Sequence, residues 1–296
     1  MQAIQIEGLT KLYKNGRGVN KIDLTVPQGS VFGFLGPNGA GKTTLIRTLL
    51  GFLKPQAGQI SVLGIDALNR SREVRRKVGY LPSDPALYDF LSGRDNIEFA
   101  LRMRGVKDRT RVQSLADRLE IDLKRRVKSL SRGNKQKVAI VAALAHDPDL
   151  IILDEPTSGL DPLVQETFLD LVREEQRRGK TVFMSSHIMS EVEAVCERVG
   201  VIKDGKIVAL DTVEHLKRQR VKYVKAEFAA QVPDLKAAAG VSDWQVEGRK
   251  VRFTMAGSMD ALVAELAKGS LVDLTVTDPP LEEVFRQFYE GAGGGK

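Results

Sequence analysis

The chain has 296 residues, of which 42% are hydrophobic and 28% charged, and 45 Lys and Arg against 38 Asp and Glu give a net charge of +7. This composition excludes a disordered chain, and the longest apolar run, Val138 to Ala145, is far too short for a membrane helix. The single cysteine, Cys196, excludes an internal disulfide, and the N-terminus lacks a secretory pattern, so we expect a cytosolic protein with one large and one smaller domain.

Two strands are predicted near the N-terminus. Apolar residues alternate from Ala3 to Glu7 and again from Ile22 to Val26, before a turn at Pro27-Gln28-Gly29. Tyr13 lies between these strands. A tyrosine here could stack on a purine ring or cover a sheet edge, and the residues alone favour the second interpretation.

A phosphate-binding motif follows. Val31–Leu35 predicts a buried strand, helical spacing begins at Thr44, and the eight residues between them, Gly36-Pro37-Asn38-Gly39-Ala40-Gly41-Lys42-Thr43, fit G-x-x-x-x-G-K-[ST]. The glycines allow backbone N–H groups to converge on an anion at a helix N-terminus. Lys42 is expected to reach the β- and γ-phosphates and Thr43 to ligate Mg²⁺. The sequence therefore predicts a nucleoside triphosphate site.

An insert with helical patterns follows the predicted strands at 58–63 and 77–81. Two prolines flank Ser83 and Asp84, and helices are predicted over 93–104 and 108–119. From Arg102 to Lys137 there are 13 Lys and Arg against 4 Asp and Glu. We interpret this excess as a solvated basic helical face, with contact to lipid headgroups or an acidic partner as the alternative.

Ser131 is predicted to cap a helix that runs to about Ala145. The apolar strand Leu150–Leu153 then ends in Asp154 and Glu155. The carboxyl end of such a strand opens on the ligand crevice of a parallel sheet, so Asp154 is placed to hold Mg²⁺ through water and Glu155 to polarise an attacking water. As isolated features, two such carboxylates could also be solvated turn residues.

Beyond Ser158-Gly159-Leu160-Asp161 we expect a helix over 162–178 and a strand over 181–184. That strand runs into Ser185-Ser186-His187. Taken alone, a histidine at this place is more often structural than catalytic.

Together these segments resemble the nucleotide-binding subunit of an ATP-binding cassette (ABC) transporter. The resemblance covers about Ile4 to Leu210 and rests on the order of phosphate loop, helical insert, LSRGN, LIILDEP, SGLD and SSH, of which LSRGN followed by LIILDEP is specific to ABC ATPases.

The resemblance implies a role for each matching residue. Tyr13 would stack on adenine, Glu155 would act as general base, and His187 would contact the γ-phosphate. Ser131 and Gly133 would close over the ATP of a second subunit, and Asp161 would link the two sites. The residues that would hold ATP and Mg²⁺ are Gly36, Asn38, Gly39, Ala40, Gly41, Lys42, Thr43 and Thr44.

Two departures from the family pattern stand out. Arg132 and Asn134 replace the second glycine and the glutamine of the usual LSGGQ, although Ser131 and Gly133 are retained. Ser83 stands where the family often has a glutamine that reaches Mg²⁺. Either Ser83 or Asp84 serves instead, or a water fills the gap, or coupling at this site is weaker.

The C-terminal region predicts a separate small domain. Strands are expected over 221–228, 242–247, 250–255 and 271–277, and helices at 233–239, 258–268 and 281–289. The order β-α-β-β-α-β suggests a ferredoxin-like domain with a dimerisation or regulatory role.

The expected fold is therefore α/β. It comprises a P-loop NTPase core with an antiparallel β subdomain and a helical insert (about 84–135) in residues 1–216, an α+β domain in 217–290 and a flexible tail in 291–296.

The expected partners are a separately encoded membrane permease and a second nucleotide-binding subunit, either an identical copy or a close paralogue. The phrase GFLGPNGAGKTT and the ending LEEVF resemble exporters of drugs, antibiotics or ions. Such a subunit would be cytoplasmic and peripheral on the inner face of the membrane. The alternative is a soluble ABC ATPase acting on nucleic acid or the ribosome; no nucleic acid is expected, because long coiled-coil inserts and a second cassette are missing.

Overall fold

The structure is a computed structural model of the chain, and it describes residues 1–218, 222–230, 232–233, 240–255, 259–266 and 269–277. Its contacts divide the chain into an N-terminal unit, Met1–Thr212, and a C-terminal unit that begins at Val213. The boundary expected from the sequence lies at residue 216.

The N-terminal unit alternates strands and helices. Its first elements are β1 (Gln2–Leu12), β2 (Gly18–Pro27), β3 (Val31–Leu35), α1 (Lys42–Leu49), β4 (Ala57–Val62), β5 (Ile65–Asp66), α2 (Ser71–Lys77) and β6 (Val78–Leu81). The following elements are α3 (Gly93–Met103), α4 (Thr110–Arg118), a 3-10 turn (Val127–Ser129), α5 (Arg132–Leu144), β7 (Leu150–Asp154), α6 (Pro162–Arg177), β8 (Thr181–Ser186), α7 (Met189–Val195), β9 (Arg198–Lys203) and β10 (Lys206–Thr212).

The central sheet of this unit has the strand order β10-β9-β3-β8-β7-β6. All of its neighbouring strands are parallel except β10, which pairs antiparallel with β9. Every residue of β3 and β7 is buried, as expected for parallel strands covered on both faces. The loops that follow β3, β7 and β8 therefore leave the same edge of the sheet from three adjacent strands, where α/β proteins bind their ligands.

Aromatic side chains pack between neighbouring strands of this sheet, and aliphatic side chains of α1 are buried in the same core. The rings of Phe32 and Phe183 stack with centroids 5.7 Å apart, and Phe34 lies 5.6 Å from Phe183. Leu45 and Ile46 of α1 are fully buried; burial of such a side chain contributes about 1.5–3 kcal/mol. The loop between β3 and α1 is thus held at both ends by the core.

A second sheet, of order β2-β1-β4-β5, is antiparallel throughout. Ile4 and Ile6 of β1 and Leu24 of β2 are buried, and the residues between them are exposed. This alternation confirms the predicted strands and the antiparallel subdomain.

Two helices of the N-terminal unit were not predicted. Helix α2 has Val74 as its single buried residue, so no apolar stripe marks it in the sequence. Helix α7 has only seven residues, too few to show a helical period clearly. No helix among the described residues combines the length and hydropathy needed to cross a membrane.

The C-terminal unit contains α8 (Val213–Arg218), β11 (Lys222–Phe228), β12 (Val241–Glu247), β13 (Lys250–Met255), α9 (Met259–Leu266) and β14 (Leu271–Thr277). Its sheet has the order β12-β13-β11-β14, and all its neighbouring strands are antiparallel. Strands β11 and β12 are therefore parallel with β13 inserted between them, the split arrangement of ferredoxin-like domains. The predicted helix over 233–239, apart from Pro233, lies outside the described residues, as do the predicted helix over 281–289 and the tail over 291–296.

Candidate active site

The loop Gly36–Thr43 connects β3 to the first turn of α1. Gly41 has φ +113°, and a Cβ atom there would lie 2.6 Å from the carbonyl oxygen of Gly18. Any other residue would be strained and would clash with backbone, so the glycine is a geometric requirement of this turn. The loop places the N-terminal peptide groups of α1 at the sheet edge, where a helix favours anions.

Lys42 is buried within this loop. Its Nζ donates to the carbonyl oxygens of Gly36, at 2.6 Å, and Pro37, at 3.2 Å. The same ammonium lies 3.2 Å from Oε1 of Glu155. The predicted phosphate ligand and the predicted general base are therefore in direct contact.

Thr43 and Asp154 are joined directly across the sheet edge. The Thr43 hydroxyl donates to Oδ2 of Asp154 at 2.9 Å, and the Ser185 hydroxyl donates to Oδ1 at 2.7 Å. Asp154 is fully buried, and within the described chain no Lys, Arg or His forms an ion pair with it. Burial raises the pKa of nearby Tyr80 to about 12, and the Asp154 charge adds to this rise. A buried carboxylate whose hydrogen-bond partners in the described chain are two hydroxyls fits a site that a cation completes.

Glu155 adopts a strained backbone conformation, with φ +50°. Its N–H donates to the Ser185 carbonyl at 3.1 Å and also lies 3.2 Å from the Ser185 hydroxyl. Its side chain is about one-fifth exposed, and Oε2 lies 3.2 Å from Nδ1 of His187. His187 is thus brought onto the same carboxylate as Lys42, which supports a role in the site over a structural one.

A cavity of about 270 Å³ opens beside the loop. It is lined by Tyr13, Asn15, Arg17, Gly18, Asn38, Gly39, Gly41, Lys42, Thr43, Thr44 and Glu155. Tyr13 is half-exposed at its rim, with Nζ of Lys11 5.9 Å from its ring centroid. A larger hollow, of about 560 Å³, lies on the antiparallel sheet and contains none of the predicted site residues.

The LSRGN segment forms the start of α5. Ser131 is the N-cap, and its hydroxyl accepts from the Asn134 N–H at 3.3 Å. A Cβ atom on Gly133 would lie 2.8 Å from the Gly159 carbonyl oxygen, so this position also requires a glycine. Arg132 donates to the Ser158 hydroxyl at 3.1 Å. Within the described chain, no hydrogen bond joins Ser131 or Gly133 to the phosphate loop.

Two further predicted residues lie outside the Lys42 cluster. Asp161 is the N-cap of α6, and its Oδ1 accepts from the Val164 N–H at 3.1 Å. Ser83 is half-buried and follows β6, the strand adjacent to β7. Its hydroxyl makes no hydrogen bond to another described residue. The described residues also contain no group of three or more His, Cys, Asp or Glu side chains arranged to hold a metal.

Sequence reasoning missed the buried polar residues behind the site. Gln136 of α5 donates to the Pro156 carbonyl at 2.9 Å. Glu191 of α7 accepts from the hydroxyls of Thr157 and Ser186, the latter at 2.7 Å. None of these residues belongs to a spacing pattern that predicts a contact, because their partners lie on other elements.

Comparison with known proteins identifies the family. The family model described as ABC transporter matches residues 19–158. The bacitracin transport ATP-binding protein BcrA of Bacillus licheniformis is 37% identical over 77% of this chain and 76% of its own length. The protein of the same name from Enterococcus faecalis is 31% identical over 98% of this chain and 97% of its own length.

Solved structures agree with this assignment. An ATP-binding subunit of an ABC transporter has a TM-score of 0.69 and 29% identity, covering 73% of this chain and 92% of that one. A dimeric ATP-binding cassette in a post-hydrolysis state with ADP and Pi has a TM-score of 0.65 and 26% identity, covering 71% of this chain and 98% of that one. These likenesses confirm the P-loop NTPase fold. With the phosphate loop and the Asp154–Glu155 pair in place, the chain belongs to the ABC transporter family and is an ATP-hydrolysing subunit of such a transporter.

Proposed function

We propose that Glu155 is the general base or water-orienting residue of ATP hydrolysis and that His187 contacts the γ-phosphate. The observation that carries this proposal is the convergence of Lys42, Glu155 and His187, with the Lys42 ammonium and Nδ1 of His187 each 3.2 Å from a carboxylate oxygen of Glu155. A nucleotide phosphate would compete with Glu155 and the loop carbonyls for the Lys42 ammonium. Arrival of the substrate would thereby release the carboxylate to act on water.

In the same proposal Mg²⁺ is held by Thr43 and Asp154, with Ser83 as a third contact. The fit rests on a fully buried carboxylate whose two oxygens, among the described residues, are bonded only to hydroxyls. Magnesium is usually bound through one or two carboxylates together with substrate phosphates. When bound, it would neutralise charge on the phosphates during transfer.

Two cassettes are proposed to pair head to tail, each ATP lying between the loop of one and Ser131 and Gly133 of the other. The exposed position of Ser131 at a helix N-terminus suits an anion arriving from outside the subunit. The dimeric state of a similar cassette supports this arrangement. Tyr13 would stack on the adenine and Asp161 would link the two sites.

The transporter is proposed to export a drug, antibiotic or ion through a separately encoded permease. Two relatives named for bacitracin transport favour an antibiotic.

The permease would dock near Leu87 and Tyr88, where Tyr88, Phe90 and Phe99 are exposed and the Tyr88 ring contacts the other two rings. The chain would then lie on the inner face of the membrane, with the C-terminal domain in dimerisation or regulation. The alternative of a nucleic-acid or ribosome ATPase has no support among these relatives.

Two variants test the chemistry. Glu155→Gln should keep ATP affinity within about twofold while reducing turnover by about 100-fold or more, the usual contribution of a general base. Lys42→Ala should instead lose ATP affinity, measured by calorimetry. The exposed Lys54→Ala is the matched control. Turnover by Glu155→Gln at the wild-type rate would exclude the assigned role.

A further inference from the structure

A buried carboxylate lies directly behind the two proposed catalytic residues. Glu191, in the first turn of α7, is 5% exposed. One of its oxygens accepts a hydrogen bond from the Thr157 hydroxyl and the other from the Ser186 hydroxyl. Thr157 is 3% and Ser186 1% exposed, so this cluster is shielded from water and its hydrogen bonds have no competing solvent partners.

The two hydroxyls belong to the two catalytic loops. Thr157 follows Glu155 by two residues, and Ser186 immediately precedes His187. The Ser186 oxygen also accepts from the Ile188 N–H at 2.8 Å, so the backbone turns around His187. One carboxylate therefore fixes the loop of the general base relative to the loop of the histidine.

The Glu155 loop is held from its other side as well. Gln136 of α5, which is 2% exposed, donates to the Pro156 carbonyl at 2.9 Å. The segment from Glu155 to Thr157 thus lies between an amide of α5 and a carboxylate of α7. Its position depends on both helices.

The conformation of Glu155 explains why this support matters. A non-glycine residue at φ +50° is strained and persists only when its surroundings over-determine it. Ser185 bonds to the Glu155 N–H, Gln136 holds the Pro156 carbonyl, and the fixed point after these is the Thr157 hydroxyl on Glu191. Loss of that point would let the turn relax, and the 3.2 Å contact of Glu155 with His187 would lengthen.

A purely structural role would not require a charged group. Within the described chain, no Lys, Arg or His forms an ion pair with Glu191, and burial of such a carboxylate is costly. In this geometry each hydroxyl donates to a different carboxylate oxygen, whereas a glutamine would present one oxygen and an NH₂ group that donates instead of accepting.

We propose that Glu191 is a positioning residue for ATP hydrolysis, which sets the distance between Glu155 and His187 through Thr157 and Ser186. This inference rests on the proposed roles of Glu155 and His187. Glu191 acts on chemistry and not on nucleotide affinity, because it touches neither the phosphate loop nor the cavity.

The test compares Glu191→Gln with Glu197→Gln, the same chemical change at an exposed residue just beyond α7. Glu191→Gln is expected to lower kcat by about 10- to 100-fold, the effect of a misplacement of about 1 Å. Its KM and its affinity for a non-hydrolysable ATP analogue should stay within about twofold. Glu197→Gln should leave all of these values unchanged.

A second readout reports the geometry itself. The chain has three histidines, so the imidazole ¹⁵N signals of His187 can be assigned by NMR with a His187→Gln reference. Glu191→Gln is expected to shift these signals and Glu197→Gln to leave them in place. A thermal unfolding curve for each variant confirms that the compared samples are folded.

Rescue by a conservative variant completes the design. Thr157→Val removes the hydroxyl at nearly constant volume and should reproduce the loss of kcat, whereas Thr157→Ser keeps the hydroxyl and should retain most of it. Wild-type kcat and His187 signals in folded Glu191→Gln would overturn the inference. Full activity of Glu155→Gln would refute the proposed catalytic role of Glu155. An active Glu191→Gln beside an inactive Glu155→Gln would refute only the positioning role of Glu191, so the two results are distinguishable.

Discussion

Asp154 and Glu155 are adjacent in the sequence but occupy opposite environments. Asp154 is fully buried and bonded to two hydroxyls, whereas Glu155 is partly exposed and contacts an ammonium and an imidazole. The first environment suits a metal ligand and the second a group that exchanges partners during a reaction. The change of backbone conformation at Glu155, to φ +50°, separates the two carboxylates.

His146 makes the stability of the fold depend on pH. Burial, together with the positive charge of Arg104, lowers its pKa from 6.5 to about 4. Below pH 6.5 the unfolded chain takes up a proton that the folded chain refuses, so the free energy of unfolding falls as the pH drops toward 4. Each unit of pKa depression corresponds to about 1.4 kcal/mol.

Replacement of His146 by glutamine should remove this contribution. Relative to wild type, the variant should gain stability as the pH is lowered from 6.5 to 4, measured as Tm at a series of pH values. A constant difference in Tm across this range would show that His146 does not titrate on unfolding.

Single residues also mark the limit of what the sequence can predict. Lys42, Thr43, Asp154 and Glu155 were found because their motif has fixed spacing around a strand and a turn. Glu191 could not be found in this way, since its function follows from tertiary partners and burial. A carboxylate in the sequence SEVEAV is indistinguishable from an exposed helical glutamate.

At the scale of elements, the parallel strands of the central sheet place the residues of the candidate active site. The loops after β3, β8 and β7 meet because these strands are neighbours in the sheet, in the register Leu35 to Ser186 and Ser185 to Asp154. The apolar strands Val31–Leu35 and Leu150–Leu153 were predictable as continuous buried runs. Their order in the sheet was not, because strand order depends on crossovers that no local pattern records.

The insert between β6 and α5 is fixed to the core by charges. Arg111 of α4 pairs with Glu175 of α6, which is almost fully buried, and with Asp147 at 2.6 Å. The basic excess of this region is therefore partly used in internal ion pairs, in addition to the solvated face that the sequence suggests. Arg118 pairs with Glu174 in the same way.

Hydrogen bonds fix the backbone of the segment before α3, where the proposed permease contact lies. Asn96, which is buried, accepts from the Tyr88 N–H at 2.8 Å and donates to the Tyr88 carbonyl at 3.1 Å. These bonds fix the backbone and leave the Tyr88 ring about half exposed. An exposed aromatic cluster on a rigid backbone is typical of an interaction site.

Substitution of both Leu87 and Tyr88 by alanine should therefore uncouple transport from ATP hydrolysis. Basal ATPase activity should be kept, because neither residue lines the cavity, while transport in vesicles reconstituted with the permease should be lost. Leu68→Ala, at an exposed apolar residue of the antiparallel subdomain, serves as the control. Unchanged transport by the double variant would rule out this docking surface.

For the whole molecule, the central feature is that the nucleotide site is proposed to be shared between two subunits. The cluster around Lys42 and Glu155 lies on one subunit, and Ser131 and Gly133 come from the other. Ser131 and Gly133 have no hydrogen bond to the phosphate loop within the described part of this chain. The family resemblance predicts that two subunits share each site, and the dimeric state of a similar cassette supports this prediction. The role of the C-terminal unit is predicted only as dimerisation or regulation, because its described residues form a core and its sequence shows no recognisable chemical motif.

The most direct test of the account is the molar mass of Glu155→Gln in solution, measured by light scattering with and without ATP and Mg²⁺. A variant that binds ATP but cannot cleave it should remain paired, so the mass should rise with ATP to twice the 32.6 kDa of the chain. Adding Ser131→Arg should return it to a monomer. A mass of 32.6 kDa under saturating ATP would contradict the proposal that two of these subunits enclose the nucleotide between them.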